Sequence, residues 1–560
     1  MTTKKNLLFL ATTILICMLP NILLIFVGED SVTGTFTKKI VYLILGLAIV
    51  IAPLTFLKPK WYAMLVFFLS PYLLFELYNV SMFKAPSTEE AVASIFLTNY
   101  GEARELLGGN ILSLVFSIIL ILFSLWIAIS IQRKYSLSKK VRVRIFFFVV
   151  FVFFALYGRN LLAASKLNDN FSETIGLANY SLRIQMSKVY PTDVIIKTQG
   201  ALTGIKQRKN YTERVKNVVF NARKADTLDS GEVYVLVIGE TARKHNFGIY
   251  GYNRNTTPNL DTIKGLNYFT DVYSAANLTS LSLPFILTRA TPEKVNLKFE
   301  EPAILNLYKE AGFKTYWISN VPSGIGSVFG FYSSLADYYK NTAVSLDAIN
   351  YDEKLIPELE KVLEDSTSQK KFIVIHTLGS HFRYNYRYPT SFEKFTPNLV
   401  RGISIENSTS IDHKNEIINS YDNSILYTDY VLSQLIFSLQ KQKKVSFLYY
   451  ISDHGENLYD DDQNKLLHAY INPTKYEIEI PLVIWTSHKY KQIYFNKYHN
   501  LVKHTSEKIS SLNTFHTLLD MSNIIYDEQD LAKSFSSSVF STEIQRLFYK
   551  TDKTILQLDQ

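Results

Sequence analysis

Apolar and polar positions divide this chain of 560 residues into two unlike halves. Up to about Ala164 it is built of long apolar blocks with short polar breaks. Five of them, Leu7–Val27, Ile40–Leu57, Trp61–Val80, Ile111–Ile131 and Ile145–Ala164, have the roughly 17–25 residues that a helix needs to cross a bilayer. More spans follow the first block, and it lacks a small-residue cleavage site, so it reads as a retained anchor rather than a signal peptide. Residues 165–230 are polar and mixed, with "LRIQMSKVY" amphipathic. They read as a connector along the membrane surface. From Glu232 onward, short apolar runs alternate with helical patterns. The runs "VYVLVIG" (233–239), "KTYWIS" (314–319), "FIVIHT" (372–377), "VSFLYYIS" (445–452) and "IPLVIWTS" (480–487) are continuous rather than alternating, as strands covered on both faces are. "AILNLYKEAG" (303–312) and "SILYTDYVLSQLIFSLQKQ" (424–442) have helical spacing. The pattern predicts a five-helix transmembrane domain over 1–164, with an external loop 81–110. A connector over 165–230 and an α/β domain with a mostly parallel central sheet over 231–560 follow.

Charge adds an orientation. Lys4 and Lys5, then Lys58 and Lys60, then the basic group from Arg133 to Arg144 all fall on one side of the five spans. The positive-inside rule makes that side cytoplasmic; Lys38 and Lys39 pull weakly the other way. Five spans from a cytoplasmic N-terminus put the α/β domain outside, in a periplasm-like space. The net charge of +9 does not gather into an aromatic-interleaved basic patch, which argues against nucleic acid as a partner. Cys17 is the only cysteine, so no intramolecular disulfide forms.

In a parallel α/β sheet the site lies beyond the carboxyl ends of the strands. The segments there are "GETARKH" (239–245), "HTLGSHF" (376–382) and "SDHGEN" (452–457). They bring Glu240, His376, His381, Asp453 and His454 to one edge. Glu240, Asp453 and His454 form an oxygen, oxygen and nitrogen set suited to zinc, with manganese possible. Three ligands leave a position open, which a Ser or Thr alkoxide can fill. The candidates are Thr241, Thr279, Ser280 and Ser282. Thr98 and Glu102, in the external loop, share a face if that stretch is helical.

The segments "VLVIGETARKHNFGIYGYNRNTTPNL" (235–260), "TSLSLP" (279–284), "HTLGSH" (376–381), "YDNSILYTDYVL" (421–432) and "SDHGEN" occur in this order behind five spans. Together they resemble the membrane-bound phosphoethanolamine transferases of Gram-negative bacteria, in the alkaline phosphatase/sulfatase superfamily. The resemblance implies a multi-pass inner-membrane enzyme with a periplasmic catalytic domain and one or two zinc ions. It makes Thr279 the nucleophile and a zinc ligand beside Glu240, Asp453 and His454. It assigns His381 and His468 to a second zinc or the substrate phosphate and to proton transfer, and Asn320, His376, Thr98 and Glu102 to substrate. The implied donor is phosphatidylethanolamine. The implied acceptor is lipopolysaccharide or another envelope glycan.

Three departures bear on the acceptor. The branch that modifies lipid A carries cysteines around the nucleophile, where this chain has Ala275 and Phe285. That branch also has a lysine after the segment matching "WISNVPSGIGSV" (317–328), which has none. "YEIEIPLVIWTS" (476–487) is nearer the branch modifying core sugars or other glycans. A saccharide acceptor is therefore expected, with lipid A transfer, or glycerol phosphate transfer from phosphatidylglycerol, as the alternatives. A sulfatase would need Arg where Ile286 stands.

Overall fold

The computed structural model describes residues 2–27, 35–83, 86–87, 92, 96, 111–166, 171–228, 231–322, 328–343, 349–403, 408–460, 464–470, 472–543, 545–550 and 554–559. Thr98 and Glu102 lie outside the described residues. Two compact units are present, Met1–Ile205 and a second that holds most of the chain from Lys206 onward.

The first unit is helical, with α1 (Thr2–Val27), α2 (Phe36–Ile51), α3 (Pro59–Phe83), α4 (Ile111–Ser130), α5 (Lys139–Ser165) and α6 (Phe171–Ser187); α7 (Thr192–Val215) begins in it. Four stretches, Thr3–Val27, Phe36–Thr55, Pro59–Ser81 and Lys139–Ser165, are long and apolar enough to cross a membrane. The remaining predicted span coincides with α4, which has a shorter apolar stretch at Ile118–Ser130. The polar stretch after Ala164 is helical over most of its length, as α6 and α7. Within this unit Lys197 on α7 is buried between two acids. Its Nζ lies 3.1 Å from Asp193 Oδ2 and 3.6 Å from Glu76 Oε1. It also donates to Ser87 Oγ at 3.2 Å.

The second unit is built on a seven-stranded sheet. Its strands are β1 (Glu232–Gly239), β2 (Leu266–Phe269), β3 (Lys314–Ser319), β4 (Tyr338–Asn341), β5 (Lys370–His376), β6 (Val445–Ser452) and β7 (Leu482–Thr486). The order across the sheet is β2-β7-β6-β1-β5-β3-β4. All five apolar runs of the sequence are strands. The sheet is mostly parallel, as expected, and mixed only through one reversed strand. β6, β1, β5, β3 and β4 are parallel, but β7 is antiparallel to β6 and β2. A buried apolar run looks the same in either direction, so its composition carries no sign of the reversal.

β1 shows why the sheet is covered twice. Val233, Val235 and Val237 enter one core, beside the helices α10 (Leu355–Glu364) and α11 (Lys414–Lys441). Tyr234, Leu236 and Ile238 enter the other, beside α8 (Thr279–Leu287), α9 (Ile304–Glu310) and α12 (Asn513–Met521). Fully burying each such aliphatic side chain is worth about 1.5–3 kcal/mol. The strand that carries the first candidate ligand is thus anchored from both faces.

Candidate active site

Register brings the candidate residues together. Ile238 pairs with His376, and Gly239 with Ser452. Glu240, Thr377 and Asp453 therefore leave the sheet at one level, at the carboxyl ends of three adjacent parallel strands. Glu240, Asp453 and His454 are buried, with ligand atoms within 4.8 Å of one another. His454 Nε2 is 3.2 Å from Asp453 Oδ2 and 3.9 Å from Glu240 Oε1. Its other nitrogen, Nδ1, faces the Gly455 carbonyl at 2.9 Å. A proton held there leaves the Nε2 lone pair for a cation.

Thr279 is the first residue of α8. The sequence "TSLSLPFIL" forms this helix, with Pro284 inside it. The Thr279 hydroxyl donates to Glu240 Oε1 at 3.1 Å and lies 3.2 Å from His454 Nε2. The other hydroxyl candidates separate from it. Thr241, at φ +59°, donates from its hydroxyl to Glu240 Oε1 at 3.0 Å and from its amide to Asp453 Oδ1 at 3.0 Å. Ser282 is buried one turn along α8, its hydroxyl 3.5 Å from the Thr279 carbonyl.

Electrostatics favour a cation here. Burial, then the charge of Asp453, raises the Glu240 carboxyl well above its ordinary range. Burial pulls the His454 imidazole down, so its neutral, metal-binding form prevails at neutral pH. Asp453 Oδ2 is buried and has no hydrogen-bond partner. Among the described residues no Lys or Arg forms an ion pair with either carboxylate. Ligands at about 2.0–2.1 Å from a tetrahedral zinc lie about 3.3 Å apart. The Thr279, His454 and Asp453 separations of 3.2 Å match that spacing, so the donor set fits a zinc ion.

His468 approaches the triad with its ring 4.1 Å from that of His454. Its Nδ1 is 3.0 Å from Glu456 Oε2, and the Tyr384 hydroxyl donates to Glu456 Oε1 at 3.1 Å. Burial pushes the Glu456 carboxyl up to about 8. His381 is held by its Nδ1 at 2.6 Å from the Phe382 carbonyl. Burial, then the Arg387 charge, pulls its imidazole down to about 3, and the charges of His468 and His454 act in the same direction.

His376 and Asn320 are set deeper. His376 is the fully buried last residue of β5, edge-on to Trp317. Asn320 donates to Asp352 Oδ1 at 2.8 Å and accepts from the Thr342 hydroxyl at 2.8 Å. Asp352 in turn accepts from the amides of Leu378 and Gly379. Gly379 has φ +51°, and a Cβ there would lie 2.7 Å from the Glu240 carbonyl oxygen. The chain from Asn320 to Gly379 holds a loop beneath Glu240.

Sequence reasoning gave no role to Glu456, Tyr421 or Asn277. Tyr421, on α11, donates to the Thr241 carbonyl at 2.8 Å and accepts from the Arg243 amide at 2.9 Å. Asn277 donates to Glu477 Oε2 at 2.5 Å and to the Tyr470 carbonyl at 2.9 Å. It ties the segment leading into Thr279 to the loop that carries His468. Glu456 and Tyr421 stand inside the quoted segments "SDHGEN" and "YDN", the one signal that could have found them.

With this sheet and its paired carboxylates and hydroxyl at the carboxyl edge, the chain belongs to the sulfatase family, whose model matches residues 232–524. Within that family it is similar to phosphoethanolamine transferases. The transferase EptC of Escherichia coli K12 is 33% identical over 318 residues, 55% of this chain and 53% of that protein. EptA of Helicobacter pylori is 32% identical over 51% of this chain and 52% of its own length. The chain thus spans about half the length of the curated relatives it matches. The zinc complex of the C-terminal periplasmic domain of E. coli EptC superposes with a TM-score of 0.54 at 30% identity, covering 60% of this chain and 95% of that one. The integral membrane transferase EptA of Neisseria meningitidis shares the fold over 94% of this chain and 97% of its own, at 22% identity and a TM-score of 0.50.

Proposed function

We propose that this chain transfers phosphoethanolamine from phosphatidylethanolamine to a saccharide of the cell envelope, a lipopolysaccharide core sugar or another glycan. The reading includes a zinc-dependent, multi-pass inner-membrane protein with its catalytic domain in the periplasm. The observation that carries it is the Thr279 hydroxyl, within hydrogen-bond distance of both Glu240 and His454. The names of the similar proteins support the transferred group.

Glu240, Asp453, His454 and the Thr279 oxygen would hold the metal. When bound, zinc lowers the pKa of a ligated hydroxyl and neutralises charge on phosphate oxygens. Glu240 Oε1 orients the Thr279 hydroxyl and is placed to receive its proton. Thr279 Oγ attacks phosphorus in line, its bond to phosphorus forms, and the diacylglycerol oxygen leaves with a proton. The acceptor hydroxyl then displaces Thr279 by a second in-line step. In this reading His468, oriented by Glu456, and His381 bind the non-bridging oxygens and exchange protons with the leaving and entering groups. Thr98 and Glu102 are proposed to meet the lipid headgroup.

Incubating the full chain with phosphatidylethanolamine labelled in the headgroup, followed by peptide mass spectrometry, tests this reading. A phosphoethanolamine adduct on Thr279 is expected. It should vanish in Thr279→Ala with bound metal retained. Wild-type turnover in that variant would refute the nucleophile. Mass spectrometry of lipid A and of envelope glycans, with and without the gene, tests the acceptor. A phosphoethanolamine mass shift confined to lipid A would refute a saccharide.

A further inference from the structure

At the opposite end of the sheet from the triad lies a cavity of about 490 Å³. It opens where β6 begins at Val445 and β7 ends at Thr486. β6 is eight residues long, which separates the cavity from Asp453 by roughly 23 Å at about 3.3 Å per residue. Five lysines line it: Lys264, Lys443, Lys444, Lys489 and Lys491, over a floor that includes Trp485. No Asp or Glu lines it. Among the described residues none of the five lysines forms an ion pair, although Lys441, just before them, is paired with Glu360.

The convergence is built into the backbone. Gly265, at φ +85°, lets Lys491 approach closely; a Cβ at Gly265 would lie 2.6 Å from Lys491 Nζ. Lys491 also lies over the Tyr498 ring, 4.6 Å from its centroid. Lys264, Lys443 and Lys489 are exposed, while Lys444 and Lys491 are half-buried. The positive field reaches inward: burial and then the Lys444 charge pull the buried Lys371 ammonium down to about 8. Five like charges around one concavity repel one another, and among the described residues no carboxylate is paired with any of them. Lysine ammoniums act on phosphate as mobile point charges with three donors each.

We propose that this cavity is a second, non-catalytic binding site for a saccharide carrying two or more phosphate groups. Its volume lies in the range of small-ligand sites, about 300–1,000 Å³. A bilayer presents a flat array of headgroups, which a concavity meets only at its rim, whereas a compact polyanion can enter and reach several lysines together. The site is separate from the triad chemistry, and its test is independent of the transferase reading.

The test is calorimetric titration of the full chain in non-ionic detergent micelles, with fructose 1,6-bisphosphate as the probe. Saturable binding is expected, tighter than that of inorganic phosphate. It should weaken about tenfold on loss of one charge-assisted contact in Lys443→Ala, Lys489→Ala or Lys491→Ala, weaken further with added salt, and persist in Asp453→Asn. Lys443 and Lys489 are exposed, so their variants keep the fold and carry the test even if Lys491→Ala does not. Absence of saturable binding, or binding unmoved by the lysine variants, would overturn the proposal. So would loss of binding in Asp453→Asn alone, which would place the probe at the triad. Lysine-dependent binding to phosphatidylglycerol vesicles without binding of the sugar bisphosphate would overturn it in favour of a lipid surface.

Discussion

Glu76 and Asp193 in the first unit, and Glu240 and Asp453 in the second, are two pairs of buried carboxylates neutralised in different ways. Lys197 reaches both acids of the first pair, and Ser87 completes its contacts. The chain supplies its own cation there. The second pair has a histidine whose charged form burial disfavours, a threonine hydroxyl, and, among the described residues, no Lys or Arg ion pair. Its counter-charge must come from outside. The difference separates an internal ionic clamp from a candidate metal centre, although both groups have similar acids and similar burial.

Removing one acid from the second pair should have the largest effect. Asp453→Asn keeps the shape but halves the carboxylate charge, and transfer should fall on the order of 10³-fold or more, with metal content falling in parallel. Activity near wild type would put the metal elsewhere. Removing the cation from the first pair should act on stability instead. Lys197→Met leaves two buried acids without a cation, a loss of about 3–5 kcal/mol. The thermal midpoint in detergent should drop while the metal content of the folded fraction stays unchanged; an unchanged midpoint would deny the clamp.

His468→Ala should be milder at the triad, a loss of about 10²-fold in turnover with bound metal kept. A loss of metal instead would make His468 a ligand. The smallest effect concerns pH. Burial raises the Asp193 carboxyl from 3.8 to about 6. Between those values the folded state therefore holds a proton that the unfolded chain has released. Its contribution to stability is full below about pH 4 and is lost as pH rises through 6. Asp193→Asn should flatten that part of the profile of thermal midpoint against pH, and an unchanged slope would contradict the raised value.

The parts visible in the sequence were those with strong local signals. Five strands announced themselves by unbroken apolar runs, and the triad by acids and imidazoles directly after them. β2 and β4 did not, because they are four residues long and mostly half-buried or exposed. α8 was hidden by Pro284, which lacks the amide that a helix interior uses, and by an apolar face without helical period. α11 begins at Lys414, ten residues before its apolar pattern becomes evident. Glu456 was illegible because its partners, His468 and Tyr384, lie 12 and 72 residues away. Asn320 and His376 sat in recognisable segments, but only the fold shows that both are buried and that the Asn320 amide is engaged by Asp352 and Thr342. The absence of cysteines around Thr279 left its support unspecified. In the structure Ser274 donates to the Asp453 carbonyl at 2.5 Å, and Asn277 to Glu477, and these bonds fix the segment.

The central claim is that the second carboxylate pair, and not the first, recruits a metal. Elemental analysis of the full chain purified without chelators tests it directly, comparing wild type, Asp453→Asn and Lys197→Met. At least one zinc per chain is predicted in wild type and in folded Lys197→Met, with its loss in Asp453→Asn. Wild type without stoichiometric metal, or Asp453→Asn that retains it, would contradict the account.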